Sequence, residues 1–257
     1  MNKKLSFLVG LALMVSGNML LANNLKITSQ PVLVNQNTGT ETVDISFGVA
    51  WENSWRVDLP GDGNQAPFNH DAVWVFMKYK SQTGVWKHAT LRASGHSVPE
   101  GAALKLPADK KGLFILKSAN GIGSNNWEDI LLRWDYGFDG VVELTGIEVK
   151  VFAIEMVYIP QGSFYLGDEG NTAEVRKQFN LIMEDINDKS VPYLVASEDA
   201  IVLGGSTPGN LGNHNAVTSN TSSDNPNDDF NDAQEQALPQ AFPKGFQAFY
   251  MMKYELT

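Results

Sequence analysis

The sequence predicts a mainly β protein: an antiparallel, immunoglobulin-like β-sandwich over residues 23–154, followed by an α+β unit over residues 155–257. In the first part, short apolar runs alternate with turn-rich stretches, and no amphipathic helix separates them. In the second part, a hairpin-like stretch is followed by an apolar pattern with helical spacing.

The segment TVDISFGVAW provides the clearest predicted strand. Apolar side chains occupy every second position, so one face of the strand is apolar and the other is polar or small. The apolar face consists of Val43, Ile45, Phe47, Val49 and Trp51. The segment DAVWVFMKYK is apolar on both faces as far as Met77, which predicts a central strand covered on both sides. Further strands are predicted in GVWKHATL, GLFILKS, DILLRWDY and GIEVKVFAI.

Composition and charge narrow the function classes. The chain is 43% hydrophobic and 19% charged, as expected for a globular protein. A net charge of -10 argues against a nucleic-acid partner, which needs clustered lysine and arginine. The chain has no cysteine, which excludes disulfides, thiolate metal sites and cysteine nucleophiles from these residues.

The first 22 residues have the layout of a secretory signal peptide. Two lysines precede an apolar stretch over residues 5–21, and Ala22 offers a cleavage site just before Asn23. An uncleaved membrane anchor is the alternative, because the stretch approaches spanning length, but its glycines and serines disfavour this. We therefore expect export to the periplasm, the cell surface or the medium, and no membrane span after cleavage.

All six tryptophans lie in the predicted sandwich. Trp51 and Trp74 are in register with apolar strand neighbours, which predicts that both pack in the core. Trp55 and Trp127 lie in or beside polar loops rich in glycine and asparagine. Core packing and stacking on a sugar ring both remain open for these two. They are the candidate ligand-binding residues.

Residues 155–166 are predicted to form a β-hairpin with its turn at residues 160–162. An acidic insertion is predicted at residues 168–240, which hold thirteen acidic side chains against three basic ones. Within it, apolar residues with helical spacing predict one helix over residues 171–189. The glycine- and asparagine-rich remainder predicts a long loop.

The sequence presents no active site. The segment SDNPNDDFND has the composition of a calcium loop, but counting from Asn225, Phe230 replaces the glycine and Gln236 the glutamate of an EF-hand. A solvated acidic loop is the better interpretation. His70 and Asp71 are neighbours in the sequence and could form a catalytic pair, but a structural role is the preferred interpretation. No catalytic residue, cofactor site or metal site is predicted within the chain.

The stretch MVYIPQGSFYLGD resembles the opening signature of the formylglycine-generating enzyme, or sulfatase-modifying factor, family. The matching residues are Met156, Val157, Ile159, Pro160, Gly162, Phe164, Leu166 and Gly167. FYMMKYELT is similar to the family's next landmark, a strand that runs on into a helix. Its matching residues are Phe249, Met251, Lys253, Tyr254, Glu255, Leu256 and Thr257. We interpret all of them as scaffold residues.

The resemblance implies an exported bacterial member with an α+β, C-type-lectin-like domain, of which this chain holds the opening. Family enzymes oxidise a substrate cysteine with copper bound by a late cysteine pair, and no such position exists here, so enzymatic activity is undecided. Copper or calcium would belong to the complete domain. The alternative is a non-catalytic surface protein on a lectin-like scaffold, with the sandwich binding a protein or glycan. A complete protein ending at Thr257 is the least favoured interpretation.

Overall fold

The structure is a computed structural model, and it describes residues 23–57, 69–167, 179–182, 191–205, 207–212 and 235–255. These residues form strands and turns, and they contain no helix. The predicted mainly β class is confirmed, with antiparallel sheets that include a curled half-barrel.

Sixteen strands are present in the described residues. They are β1 (Lys26–Ile27), β2 (Val32–Asn37), β3 (Thr42–Val57), β4 (Asn69–Lys80), β5 (Trp86–His88), β6 (Ala102–Lys105), β7 (Leu113–Lys117), β8 (Gly121–Asp135), β9 (Glu148–Ile159), β10 (Phe164–Leu166), β11 (Asn180–Leu181), β12 (Tyr193–Val195), β13 (Ile201–Leu203), β14 (Leu211–Gly212), β15 (Gln236–Leu238) and β16 (Phe249–Met252).

Two long strands organise the half-barrel. In the first sheet, β1 and β2 pair with one edge of β3, and β8 pairs antiparallel with the other edge. In the second sheet, β9 lines one edge of β4, while β5 and β7 line the other. β6 extends this sheet from β7, and β16 extends it from β9. The two sheets join where Arg56 pairs with His70, so they curl around one core.

The core lies between the two sheets. All five residues of the predicted apolar face of β3 are at most 1% exposed, which confirms the alternation and the core position of Trp51. Each large apolar side chain buried in this way contributes roughly 1.5–3 kcal/mol. Their buried partners on β4 and β8 are Val73, Val75, Met77, Ile130, Leu132 and Trp134.

The opposite face of β3 also carries a buried charge. Asp44 is 1% exposed and accepts hydrogen bonds from Arg133 Nε and Nη2, at 2.8 and 3.0 Å, and from Asn35 Nδ2 at 3.1 Å. Burial alone raises the pKa of Asp44, but the hydrogen bonds from Arg133 and Asn35 outweigh it and hold the pKa below its ordinary value. Asp44 therefore remains ionised inside the fold.

The predicted hairpin over residues 155–166 is wrong. β9 runs without interruption from Glu148 to Ile159, across the predicted domain boundary between residues 154 and 155, and pairs with β4 and β16. β10 pairs instead with β12. The chain turns away after Ile159, where Gly162 N donates to the Phe246 carbonyl at 3.0 Å. Long-range pairing with β16 thus replaces the local pairing of a hairpin.

The predicted helix is wrong where the structure describes it. Residues 180 and 181 form β11, which pairs with β14, and Ile182 is buried beside them. The rest of the predicted helix lies outside the described residues. The predicted loop contributes β14 and the start of β15 to the same small sheet, whose order is β11-β14-β13-β15. Here tertiary strand pairing outweighs the helical spacing of the sequence.

Two of the sequence predictions lie outside the described residues. The signal peptide predicted over residues 1–22 is one, and the segment SDNPNDDFND, with its calcium-loop composition, is the other. Within the part of the chain that the structure describes, no helix has the length and hydropathy needed to cross a bilayer.

The core can be tested with one isoleucine in each environment. Ile45 is fully buried in β3, whereas Ile122 is 83% exposed in β8. We expect Ile45→Ala to lower the free energy of unfolding by about 2–5 kcal/mol, because it leaves a cavity. Ile122→Ala should change it by about 0.5 kcal/mol or less. Urea denaturation measures both, and equal losses would contradict the described core.

The buried Asp44 predicts a specific pH dependence. Its folded pKa is lowered, so its stabilising contribution is present above the unfolded value, near 3.8, and is lost as pH falls through the folded value. The stability gap between wild type and Asp44→Asn should therefore be largest at neutral pH and shrink as the medium is acidified. Urea midpoints from about pH 7 down to about pH 3 measure this gap. A gap that widens on acidification would contradict the assignment.

Candidate functional site

Trp127 lies in the hydrophobic core of the half-barrel. It is 8% exposed and packs edge-on against Trp51, with the ring centroids 5.1 Å apart. A sugar ring would reach it only after this packing opened. Core packing therefore accounts for this tryptophan in the observed fold.

Trp55 is half-buried at the end of β3, where the two sheets join. Its indole Nε1 donates to Asn69 Oδ1 at 2.7 Å. Lys253 Nζ lies 4.6 Å from its ring centroid, in cation–π contact. The side chain of Lys253, which directly follows β16, therefore already contacts this ring.

That lysine is the centre of a buried polar group, the Lys253 cluster, formed by Lys253, Glu155, Asn23 and Asp71. Lys253 Nζ donates to Glu155 Oε1 at 2.7 Å, and Asn23 Nδ2 donates to the same oxygen at 2.5 Å. Lys253 Nζ is 3.9 Å from Asp71 Oδ2. The side chains of Lys253, Glu155 and Asp71 are 16%, 4% and 0% exposed.

Asp71 connects this cluster to β3. It accepts hydrogen bonds from Ser54 Oγ at 2.6 Å, Trp51 Nε1 at 3.0 Å and the Trp55 backbone N–H at 3.2 Å. Burial raises the pKa of Asp71, and these hydrogen bonds together with the charge of Lys253 act in the opposite direction. The cluster therefore joins the first sheet, the second sheet and the end of β16 through charged contacts.

The structure does not form the His70–Asp71 pair considered from the sequence. Neighbouring residues on a strand face opposite sides of the sheet. Asp71 faces the core, whereas His70 Nε2 is 2.9 Å from the Tyr250 hydroxyl, and the His70 ring stacks on Tyr158. The preferred structural interpretation of this histidine agrees with that environment.

The outer face of the second sheet carries two groups of aromatic rings. Phe76 and Phe152 stack across β4 and β9 at 5.1 Å with an interplanar angle of 9°, and Phe152 is 39% exposed. Phe114 lies 4.7 Å from Trp74 and 3.8 Å from Tyr250, measured between centroids. We call this surface the aromatic face, and its members are Trp74, Phe76, Phe114, Phe152, Tyr158 and Tyr250.

One end of the aromatic face combines two tyrosines with a lysine. Lys105 Nζ lies 5.3 Å from the ring centroids of both Tyr158 and Tyr250. Burial, and next the neighbouring Tyr158, raise the pKa of Tyr250 to about 12. Its hydroxyl therefore stays protonated at neutral pH, and it lies 2.9 Å from His70 Nε2.

The other end of the aromatic face borders three basic side chains on neighbouring strands. Lys78 pairs across the strands with Lys150 on one side and with His88 on the other. Burial lowers the pKa of His88, and the charges of Lys78 and Lys111 lower it further, so the ring is neutral at neutral pH. Among the described residues, no carboxylate lies within ion-pair distance of Lys78 or Lys150. We call Lys78, Lys150 and His88 the basic row.

The aromatic face was not predicted as a site. Trp74 was expected in the core, yet it is half-buried on the outer side of β4, against Phe114. The available signal was the segment DAVWVFMKYK, whose apolar residues occupy both faces of one strand. The basic row depends on Lys78 meeting Lys150 across β4 and β9, a pairing that spacing along the sequence does not reveal.

The residues behind the family resemblance lie on two paired strands and the turns that follow them. Met156, Val157 and Ile159 belong to β9, and this part of β9 pairs antiparallel with β16. Pro160 and Gly162 lie in the irregular segment that follows β9.

The remaining motif residues lie near these strands or beyond the described part. Phe164 begins β10, and Gly167 has a φ of +94°, a conformation that favours glycine. Tyr254 and Glu255 follow β16 and are exposed. Thr257 lies outside the described residues.

The described part of the chain offers a groove but no cluster of metal-ligating side chains. It contains no group of three or more His, Cys, Asp or Glu side chains arranged to hold a metal ion. A large open groove of about 820 Å³ lies between residues 27–33 and residues 147–152. Glu148 and Lys150 are its ionisable lining residues.

No known protein family, curated protein or solved structure matches the chain.

The Lys253 cluster predicts a large cost for removing its cation. Lys253→Ala leaves Glu155 and Asp71 buried without their positive partner, so we expect a loss of about 3–5 kcal/mol in unfolding free energy. The control is Lys26→Ala, because Lys26 is exposed on β1. Urea denaturation at neutral pH measures the unfolding free energy of both variants. Equal, small effects would show that Lys253 does not hold the cluster together.

Proposed function

We propose that the chain belongs to an exported protein of the sulfatase-modifying factor family and that its β-rich part is a binding module for an acidic glycan. In this proposal the half-barrel corresponds to the immunoglobulin-like sandwich predicted over residues 23–154, extended by the end of β9 and by β16. Residues 155–257 open a C-type-lectin-like domain with an acidic insertion at residues 168–240. Export rests on the signal-peptide layout of residues 1–22.

The pairing of β9 with β16 supports the family part of the proposal. The two stretches that resemble the family's landmarks are far apart in sequence, yet Met156–Ile159 pairs residue by residue with Phe249–Met252. Two landmarks of one domain are expected to meet in this way. Lys253, a member of the second landmark, also donates to Glu155 directly before the first one.

The observation that carries the binding role is the aromatic face bordered by the basic row. Aromatic rings offer apolar surfaces that suit the C–H faces of sugar rings. Lysines without a carboxylate partner can bind the carboxylate or sulfate groups of an acidic glycan. Like charges placed opposite each other on a sheet destabilise it, and an anionic ligand would relieve this repulsion between Lys78 and Lys150.

The distribution of charge is compatible with an anionic ligand. Residues 168–240 hold thirteen of the 29 acidic side chains but only three of the 19 basic ones. The remainder of the chain is therefore balanced in charge. A locally basic surface on that balanced part can attract an anion over a Debye length of about 10 Å in moderate salt.

These 257 residues are not proposed to catalyse the family's oxidation of a substrate cysteine. The family's oxidation of a substrate cysteine depends on a copper-binding cysteine pair, and the chain contains no cysteine. Oxidation of a substrate cysteine, with bound copper or calcium, is proposed only for a longer protein that contains the cysteine pair. A non-catalytic surface protein on the same scaffold fits the binding role equally well.

Calorimetric titration with a polyuronate and with an uncharged glucan of similar length tests the ligand class. We expect the wild-type chain to bind the polyuronate more tightly than the glucan, with an affinity that falls as salt is added. The double variant Lys78→Gln/Lys150→Gln should weaken polyuronate binding about tenfold or more, because two charge-assisted contacts are lost. Phe152→Ala should weaken binding of both glycans, and Lys26→Gln should bind like wild type.

The same titration decides the second candidate, sugar stacking on Trp55 and Trp127. The half-exposed position of Trp55 beside Asn69 is the observation in its favour. Trp55→Ala is the deciding variant, because Trp127→Ala also removes core packing against Trp51. Loss of binding in Trp55→Ala, with normal binding in the Lys78, Lys150 and Phe152 variants, would replace the aromatic face by this second site. No binding of either glycan would contradict both versions.

A further inference from the structure

The Lys253 cluster places an amine and a carboxamide on one carboxylate oxygen. Lys253 Nζ and Asn23 Nδ2 both donate to Glu155 Oε1, at 2.7 and 2.5 Å. The two nitrogen atoms are therefore no farther apart than the sum of these distances. Asn53 Nδ2 donates to Asn23 Oδ1 at 3.0 Å and so holds the carboxamide by its other end.

The surroundings of the cluster exclude most water. Asn23 is 4% exposed as a whole residue, and the side chains of Glu155 and Lys253 are 4% and 16% exposed. The Trp55 ring covers the amine at 4.6 Å. Fixed geometry and water exclusion both speed the reaction of neighbouring groups, by effective concentrations of about 10⁵ M or more in favourable cases.

The geometry points to a covalent amide bond between the side chains of Lys253 and Asn23, formed with Glu155 as the proton carrier. This modification is independent of the glycan-binding proposal, since it uses none of the residues of the aromatic face or the basic row. It needs no oxidant, cofactor or second protein. All the reacting groups belong to this chain.

The reaction is a transamidation. The ammonium group of Lys253 passes one proton to the Glu155 carboxylate, and the neutral Nζ attacks Cγ of Asn23. The new Nζ–Cγ bond forms as the Cγ–Nδ2 bond breaks, and Glu155 returns a proton to the departing nitrogen. The other proton that Nζ loses stays on Glu155, so the chain gains an amide, releases one molecule of ammonia and keeps a neutral carboxylic acid beside the uncharged amide.

The position of the bond in the fold has a clear mechanical consequence. Asn23 precedes β1 of the first sheet, whereas Lys253 directly follows β16 of the second sheet. A covalent link would close the chain between residues 23 and 253. It would connect both sheets on the side of the half-barrel where β1 approaches β9. These two strands are near each other but are not paired by backbone hydrogen bonds. Closing a long loop in this way restricts the unfolded chain and thereby raises stability.

Intact-mass and peptide mass spectrometry of the purified full-length chain tests the proposal. The protein should be lighter than its sequence by one ammonia, after allowance for any N-terminal processing. Proteolysis under denaturing conditions should yield one branched peptide that joins the segment containing Asn23 to the segment containing Lys253. A wild-type chain without the mass deficit, or with the deficit confined to an unbranched peptide, would overturn the proposal.

Two variants and one control confirm the assignment of roles. Lys253→Arg keeps a positive charge beside Glu155 but removes the amine nucleophile, so it should have the full mass and yield no branched peptide. Glu155→Gln removes the proton carrier and should give the same result. Lys26→Arg, a change at an exposed lysine three residues from Asn23, should retain the branched peptide. A branched peptide that persists in Lys253→Arg would also contradict the assignment.

Discussion

The burial of two carboxylates opposite one lysine is the constraint on which the rest of the structure depends. Glu155 sits in β9 and Asp71 in β4, and both side chains are almost fully excluded from solvent. An isolated buried charge is costly, so the fold requires a cation at this point. The ammonium form of Lys253 supplies it as the chain folds, before the proposed amide to Asn23 forms, and its position places β16 alongside β9. The same contacts connect Trp51 and Trp55 of β3 to the second sheet through Asp71.

The second sheet has two apolar faces with different roles. Its inner face closes the core against β3 and β8. Its outer side is the aromatic face, whose rings remain half-exposed and border the basic row. Surface rings beside lysines that have no carboxylate partner suit recognition of a ligand with both ring-like and anionic parts. The architecture therefore separates the two tasks: buried charges hold the strands, and the outer face is left for binding.

The sequence was most informative where a local pattern determined the structure. Alternation along β3 predicted its inward face from Val43 to Trp51, and the two-faced apolar pattern of β4 anticipated a central strand. The errors came from distant partners. The hairpin after Glu155 was predicted from a local turn, but β9 pairs with a strand about 90 residues farther along the chain. Trp74 was placed in the core because periodicity reveals an apolar face without revealing what covers it. The Lys253 cluster brings together residues from four separate parts of the chain, so no spacing rule could have predicted it.

Amide hydrogen exchange at Lys253 tests the central claim, that β16 is a firmly held strand of the second sheet. The Lys253 backbone N–H donates to the Glu155 carbonyl at 3.0 Å, next to the buried ion pair. If the account is correct, this amide exchanges as slowly as the amides in the centre of β3, because it opens only when the half-barrel unfolds. Exchange at the rate of an exposed, unbonded amide, while β3 stays protected, would show that β16 detaches by itself. The buried carboxylates would then need a different partner.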